Sequence, residues 1–512
     1  MKIFKQFIVI VLLLILPFIT FSQQINFNRI YNPDSIYNVT PVGHTVLTAN
    51  NKYIIQAYSA FYSSNLSLTA ILFIELDSIG NIIKKVSIKS DTIICVSGFG
   101  SFIHTHDSGY CYVGNLHTTT NKYHYFVKLN NNLDTLWTSK IQQTDSLDEG
   151  NYQLCETFDK GFVMVGEKDI NSTITNVLII KIDSLGNQLW KKTIALGGLS
   201  PAYQIRETPD KGLLICGYKA SPYSNVYTGG PFILKTDSAG NLKWSSFPNS
   251  QNYNGGGAIA ITPEGDYLLA YGYGISLEYS NTTDFYYSKI NVIKYNANGG
   301  VIGSRFYDKV RLNQGIYKVE MLPNGDYFIL GNYFVADTNS NHSADVALLM
   351  KINNKDDSLW TQCYGYAVGT SADINYLFDG VATNDGGFIS CGLVGSYPTV
   401  PQQMMWVVKT DSNGYAPDMN SLGINDISKG NMGEVRVFPN PATNQTTIAY
   451  PQLKVEGGIL IYNMLGQIVY EEKIAKGSLQ TKLKIQHLKA GLYKVILREK
   501  GMMKGEVNLV KE

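Results

Sequence analysis

Residues 178–190 read LIIKIDSLGNQLW: an apolar strand carrying one Lys, an Asp, a tight polar turn, and a Trp. The same order returns as LFIELDSIGNIIKK from Leu72, with Glu in place of Lys, and as YFVKLNNNLDTLW from Tyr125. Further copies are FILKTDSAGNLKW from Phe232, NVIKYNANGGVIG from Asn291, LLMKINNKDDSLW from Leu348 and WVVKTDSNGYAPD from Trp406. The anchors Asp77, Asn130, Asp183, Asp237, Asn296, Asn353 and Asp411 are separated by 53, 53, 54, 59, 57 and 58 residues. So regular a period is the mark of a repeat architecture.

A second element lies between the anchors, a polar turn followed by an alternating strand that often ends in Gly. It reads HDSGYCYVG from His106, FDKGFVMVG from Phe158, PDKGLLICG from Pro209, PEGDYLLAYG from Pro263, PNGDYFILG from Pro323 and NDGGFISCG from Asn384, with a weaker copy, ANNKYIIQAY, from Ala49. Gly and Asn tolerate the backbone of tight hairpin turns, so each unit predicts four short strands in about 56 residues. Four strands repeated around an axis make a β-propeller, whose blades bury their faces on one another. The expected fold is therefore all-β: a seven-bladed β-propeller over residues 23–417. Trp137, Trp190, Trp244 and Trp360 share one position and are expected between adjacent blades rather than on a sugar-stacking surface. The strand before Asp411 is expected to be the fourth of the last unit, ending near Thr410. Asn26–Tyr31 is expected as a first strand, leaving two closure schemes open: units complete in sequence order, or a ring closed by strands from both ends.

Composition narrows the function classes. Lys and Arg number 42 against 41 Asp and Glu, a net charge of +1, so there is no basic field for nucleic acid. Hydrophobic residues at 44% exclude a disordered chain, and 16% charged residues with 35 Tyr and 47 Gly suit an extracellular all-β protein. Residues 1–22, MKIFKQFIVIVLLLILPFITFS, have a basic start, a short apolar run and a small residue before Gln23, which predicts a signal peptide cleaved between Ser22 and Gln23. That run falls short of a spanning helix and nothing later matches it, so no transmembrane helix is expected in the mature chain.

Residues 418–434 read as a linker and 435–512 as a small immunoglobulin-like β-sandwich, with strands such as those around Ile459 and Leu492 set off by Gly and Asn turns. Three blocks mark this tail: Phe438-Pro439-Asn440-Pro441, Tyr462-Asn463-Met464-Leu465-Gly466-Gln467 and Leu488-Lys489-Ala490-Gly491-Leu492-Tyr493. In that order they resemble the type A C-terminal sorting domain of the type IX (Por) secretion system of Bacteroidetes. The resemblance implies that Phe438, Pro439, Asn440, Pro441, Tyr462, Gly466, Gly491 and Tyr493 belong to the sorting motif and that the type IX machinery is a partner. It also implies passage through the periplasm to the outer surface or the medium, with removal of the domain on release or attachment to lipopolysaccharide.

The DSxGNxxW repeat is similar in part to a sialidase Asp box and to the docking repeat of quinoprotein propellers, with different spacing in each case. It resembles more closely the degenerate secreted propeller repeats found ahead of such sorting domains in Bacteroidetes. Asp77-Ser78-Ile79, Asp134-Thr135-Leu136, Asp183-Ser184-Leu185 and Asp237-Ser238-Ala239 are similar to the Asp-Ser/Thr-apolar acceptor of O-glycosylation in that group. As chemistry, these Asp residues lack the alternating acidic spacing of a calcium loop and read as turn formers. His104, His106, His117 and His124 fall toward opposite ends of their strands, so no metal site is expected. The six Cys are expected as buried thiols. No catalytic residue and no cofactor emerges: there is no GxSxG, HExxH or P-loop, and Asp148-Glu149, Glu264 and Asp266 lie in turns. The chain reads as a secreted or surface-attached, non-catalytic binding or scaffold protein, with an unidentified protein or glycan ligand at the loop-bearing face around the channel. Stretches 60–69, 219–230, 273–285 and 334–343 are expected as its longest loops. The alternatives are a secreted hydrolase of polysaccharide, which convergent carboxylates at the channel mouth would favour, and a passive structural component of the surface.

Overall fold

The computed structural model of the chain describes residues 26–31, 42–49, 52–63, 66–88, 94–96, 101–118, 121–143, 148–221, 229–248, 257–279, 284–337, 342–365, 373–396, 400–416 and 422–423, then 435–450, 452–453, 456–463, 468–499 and 502–512. The signal-peptide reading at 1–22, the cleavage at Ser22-Gln23 and sorting residue Gly466 lie outside them. The chain forms two compact units, Met1–Ile424 and Asn425–Glu512.

In the first unit the strands pair as antiparallel meanders of four. The first is Val42–Ala49, Lys52–Ser63, Leu66–Leu76 and Ile82–Ile88. The second sets Ile94–Val96 and Phe102–His104 end to end along one edge of Tyr110–His117, followed by Lys122–Leu129 and Thr135–Gln142. The third is Glu149–Glu156, Phe162–Asn171, Ile174–Ile182 and Gln188–Ile194, and the fourth Ala202–Glu207, Leu213–Lys219, Gly230–Thr236 and Leu242–Ser246. The fifth takes Gly257–Ile261, Tyr267–Tyr279, Asp284–Tyr295 and the start of Val301–Met321, whose second half opens the sixth with Tyr327–Asp337, His342–Ile352 and Ser358–Tyr364. Asp373–Ala382, Phe388–Ser396 and Val400–Lys409 form a last meander, completed by Phe27–Tyr31 from the other end of the chain, with Ile30 opposite Trp406. This corrects the sequence reading of both segments: the strand ending near Thr410 is the third of its blade, and the N-terminal strand is the fourth. Two residues of the expected linker, Leu422-Gly423, pair with Gln362-Cys363.

These meanders are propeller blades, and the apolar alternation shows how they stack. On the third blade Val163, Val165, Val177 and Ile179 pack with Ala202, Ile205 and Ile215 of the fourth. Their neighbours Phe162, Met164, Leu178 and Ile180 pack with Cys111, Val113 and Phe126 of the second. A strand with both faces buried reads as a continuous apolar run, which is why LIIKI carries the signal. The closing strand does likewise: Phe27 and Tyr31 share a core with Val407 of the last blade and with Val46, Ile55 and Leu72 of the first.

The repeated turns are held by their own side chains. Each anchor carboxylate or amide, from Asp77 to Asp411, accepts hydrogen bonds from the backbone N–H groups two and four residues on, at 2.8–3.0 Å. The Asx turn thus consumes the acceptor that a cation would need. The residue three places past the anchor has positive φ, and it is Gly80, Gly186, Gly240, Gly299 or Gly414 in five blades. At these a Cβ would stand 2.7–2.9 Å from Phe27, Trp137, Trp190, Trp244 or Trp360 of the preceding blade. Where the Trp position holds Lys84 or Gly303, the following turn carries Leu133 (φ 63) or Asp356 (φ 67) instead. The glycine is therefore kept for the ring above it as well as for its backbone.

The Lys of the first element closes the other turn. Lys128, Lys181, Lys235 and Lys409 are buried and pair with Asp107 (2.9 Å), Asp159 (2.7 Å), Asp210 (2.8 Å) and Asp385 (2.7 Å). The first blade reverses the charges, Lys52 meeting Glu75 at 2.6 Å. Burial pushes the Asp carboxyls up, but the Thr hydroxyl and Lys ammonium that bond them prevail and hold Asp107 and Asp159 at about 2. The adjacent glycine leaves room for the ammonium: a Cβ on Gly212 would lie 2.1 Å from Lys235 Nζ and 2.2 Å from Thr236 O.

The C-terminal unit is a sandwich of two sheets, Arg436–Phe438, Gln445–Ala449 and Gln480–Lys484 facing Ile468–Ile474, Gly457–Tyr462, Gly491–Glu499 and Met502–Lys511. Ile448, Ile459, Leu483, Val495, Leu497 and Leu509 fill its core.

Three outcomes are expected in denaturation experiments. Gly212→Ala should cost about 1–3 kcal/mol through overpacking, whereas Gly303→Ala, with open space at its Cβ, should stay within about 0.5 kcal/mol. Asp210→Ala, which strands a buried ammonium, should destabilise more than Lys235→Met, which leaves a half-exposed carboxylate. Asp107 and Asp159 titrate below their ordinary value of 3.8, so their pairs contribute fully above about pH 4 and lose that contribution as pH falls toward 2; a melting temperature flat across pH 2–5 would contradict this.

Candidate functional site

The tight turns all lie on one face, because in a four-stranded meander the first and third connections share an edge. The second connections and the links between blades share the other, open face. Three of the expected long loops there are strand hairpins: pairing runs out to Ser63 opposite Leu66, Tyr279 opposite Asp284 and Asp337 opposite His342. Stretch 219–230 is bounded by paired Lys219 and Gly230, with 222–228 outside the described residues.

The inner strands carry a register shift near this face. An extra residue enters between Asn151 and Gln153, Ala202 and Gln204, Ile316 and Lys318, and Leu377 and Asp379. The inserted residues are Tyr152, Tyr203, Tyr317 and Phe378, since a bulge re-aims one side chain out of the alternation. Tyr152 and Tyr203 meet edge to face at 5.1 Å, and Tyr317 and Phe378 at 5.5 Å. The bulge drives a carbonyl toward the next strand: a Cβ on Gly217, Gly331 or Gly392 would stand 2.0, 2.8 or 1.9 Å from the oxygen of Pro201, Gly315 or Tyr376. Here the recurrent Gly that ends the second sequence element finds its reason.

Polar residues follow the bulges and stitch the inner strands together. Gln153 Oε1 accepts from Ile205 N (2.7 Å) and Arg206 Nη1 (2.8 Å), and Gln204 Oε1 from Ile259 N (3.0 Å). Gln204 Nε2 donates to Tyr317 O at 2.6 Å, joining the fourth blade to the sixth across the fifth, as strands around one axis do. Lys318 Nζ pairs with Asp379 at 2.8 Å, and Asp379 Oδ2 accepts from Val46 N. Glu320 lies among them, its carboxyl pushed up by burial against the pull of Lys318 and Arg206.

Two carboxylates at the mouth accept from tyrosines: Glu167 from Tyr152 at 2.6 Å and Asp345 from Tyr376 at 2.7 Å. Burial pushes the Glu167 carboxyl up, aided by Asp169, and burial with Asp148 nearby raises Asp169. Glu149, expected in a solvated turn, is instead buried, bonded to His124 Nε2 at 2.9 Å and Lys191 Nζ at 2.6 Å, with Lys168 at 3.6 Å. Burial opposes ionisation there, yet the His124 and Lys191 bonds hold Glu149 at about 2, while burial lowers His124. His106 Nδ1 meets Glu156 at 2.8 Å near the tight turns, and His104 rests its ring on Tyr110. His117 pairs through its backbone with Lys122 at the opposite strand end, so the four histidines do not converge. Cys111, Cys155, Cys216, Cys363 and Cys391 are free thiols. Among the described residues no helix is long and apolar enough to cross a membrane.

In the C-terminal unit Phe438-Pro439-Asn440-Pro441 ends the first strand and grips the last one. Asn440 Nδ2 donates to Asn508 O at 2.9 Å and its Oδ1 accepts from Val510 N at 2.8 Å, while Thr446 Oγ1 bonds Pro439 O. Tyr493 is buried with its hydroxyl on Lys489 O, Gly491 starts that strand at φ 155, and Tyr462 meets Arg498. The aromatic bulges were missed by sequence reasoning, although Gly217, Gly331 and Gly392 each report one on the neighbouring strand.

Comparison with known proteins places residues 436–509 in the family described as the secretion system C-terminal sorting domain. No curated protein matches the chain. Among solved structures, the polysaccharide lyase Uly1 is similar at 10% identity over 76% of this chain and 93% of that one, TM-score 0.42. The Neurospora crassa Pan2 WD40 domain is similar at 8% identity over 75% and 93%, TM-score 0.38. A GH43_1 enzyme from Xanthomonas citri is similar at 10% over 52% and 89%, TM-score 0.29. The chain is thus an all-β, propeller-type protein with a type IX secretion sorting domain at its C-terminus, exported by that route to the cell surface or the medium.

Proposed function

We propose that the propeller is a binding module without catalysis of its own, and that its ligand, a protein or a glycan, seats at the open-face mouth. The observation that carries this reading is the set of half-buried rings inserted by the bulges, Tyr152, Tyr203 and Tyr317, which offer rigid aromatic contact area beside tyrosine-anchored carboxylates. The charged groups deeper along the axis are engaged with one another, as Lys318 is with Asp379. Glu167 supports the competing hydrolase reading, since a carboxyl pushed up by burial suits a general acid.

The mature protein, screened against a glycan array, insoluble polysaccharides and surface-protein extracts, should retain a ligand without releasing reducing sugar. Tyr317→Ala should weaken retention about tenfold or more, and Phe158→Ala, an exposed residue among the tight turns, should not. Sugar release lost in Glu167→Gln would establish the hydrolase instead, and silence in every arm would leave a structural role. Export depends on the sorting domain, and Asn440→Ala, which removes two hydrogen bonds to the last strand, should lower the amount reaching the medium while leaving propeller melting unchanged.

A further inference from the structure

We propose that the third- and fourth-blade side of the mouth recognises a protonated primary amine, through Tyr152, Tyr203, Tyr218 and Glu167. The proposal rests on the binding reading above and names the ligand group. Tyr152 and Tyr203 stand edge to face at 5.1 Å, and Tyr218 follows Gly217, which pairs with Ala202 beside the Tyr203 bulge on the neighbouring strand. Glu167 is fixed by the Tyr152 hydroxyl at 2.6 Å. All four side chains are half-buried, so each keeps part of its surface exposed. Aromatic faces carry negative potential, and several rings around one carboxylate form the arrangement that attracts an ammonium group.

Charge accounting points the same way. Asp107, Asp159, Asp210, Asp379 and Asp385 of the propeller each meet a cation of the chain. Glu167 receives no ion pair from the described residues, and Asp169, of like sign, raises its carboxyl further. The neighbouring cations are taken: Lys191 and Lys168 by Glu149, and Lys122 by Asp148. A neutral sugar would stack on the rings but leave that charge unanswered, whereas an amine supplies the missing partner. Binding to the ionised carboxylate also fixes the sign of the pH effect: affinity falls as pH drops and Glu167 takes up its proton.

The two natural sources of the group are a lysine side chain and an amino sugar, and calorimetry on the mature full-length protein separates them. The probes are chitotriose, its fully N-acetylated counterpart, a lysine-containing peptide and the same peptide acetylated on the side-chain nitrogen. One amine should bind more tightly than its acetylated form by about tenfold or more, and the lysine-containing peptide, whose ammonium stays charged throughout, should bind more weakly as pH is lowered and Glu167 takes up its proton. Tyr203→Leu and Glu167→Gln should each lose about tenfold, with Glu167→Gln flattening the pH dependence. Tyr203→Phe, which keeps the ring, should bind like the parent and guards against misfolding of the Leu variant. Equal binding of acetylated and free forms overturns the proposal, as does unchanged affinity in Tyr203→Leu. If no amine binds while a neutral glycan or an unrelated protein is retained through Tyr317, the amine inference fails and the binding reading stands; if nothing is retained at all, both fail.

Discussion

The structure depends on a pairing between segments almost 380 residues apart. Phe27–Tyr31 lies antiparallel to Val400–Lys409, and Trp406 Nε1 donates to Asn28 Oδ1 across a separation of 378 residues. Each blade has two apolar faces and no means of covering both, so every blade needs two neighbours, and only a closed ring gives each one its pair. Without the N-terminal strand the last blade would present an open edge, and the core it shares with the first blade would lose Phe27 and Tyr31.

Within that ring, local rules serve distant contacts. The Asx turn fixes the backbone, the glycine three places on clears space, and the aromatic ring of the preceding blade fills it. The two junctions without an aromatic show the logic in reverse, because Leu133 and Asp356 occupy the same left-handed position once nothing presses on it. The buried Lys–Asp pairs act similarly, with Gly109, Gly161, Gly212 and Gly387 leaving room for an ammonium group. Conserving charge while reversing its order, as Lys52 and Glu75 do, points to the pair rather than either residue as the unit that matters.

Most of the architecture was legible because both periodicities that define it are local. Alternation to either face made the third strands apolar throughout, and the Asx anchors repeated at nearly constant spacing. Closure was not legible, since NFNRIY fits a first strand as readily as a fourth and only tertiary pairing distinguishes them. The long hairpins at 60–69, 273–285 and 334–343 read as loops because their apolar alternation fades into Tyr, Ser and Asn. The mouth was hidden for a different reason: a bulge breaks the period-two pattern at the residues that matter there. Its trace, a glycine on the neighbouring strand, reads as a strand end until the carbonyl above it is seen.

The N-terminal position of the closing strand has a consequence for the order of events during biogenesis. Phe27–Tyr31 must wait, unpaired, until Val400–Lys409 has emerged, and loop closure over such a span is slow compared with forming any single hairpin. The sorting domain follows directly after that partner. By the time its last strand is available to be gripped by Asn440, every strand needed to close the ring has already been synthesised. Chain order thereby places the transport label downstream of the last propeller strand, so a polypeptide truncated before that strand would lack its ticket for export as well.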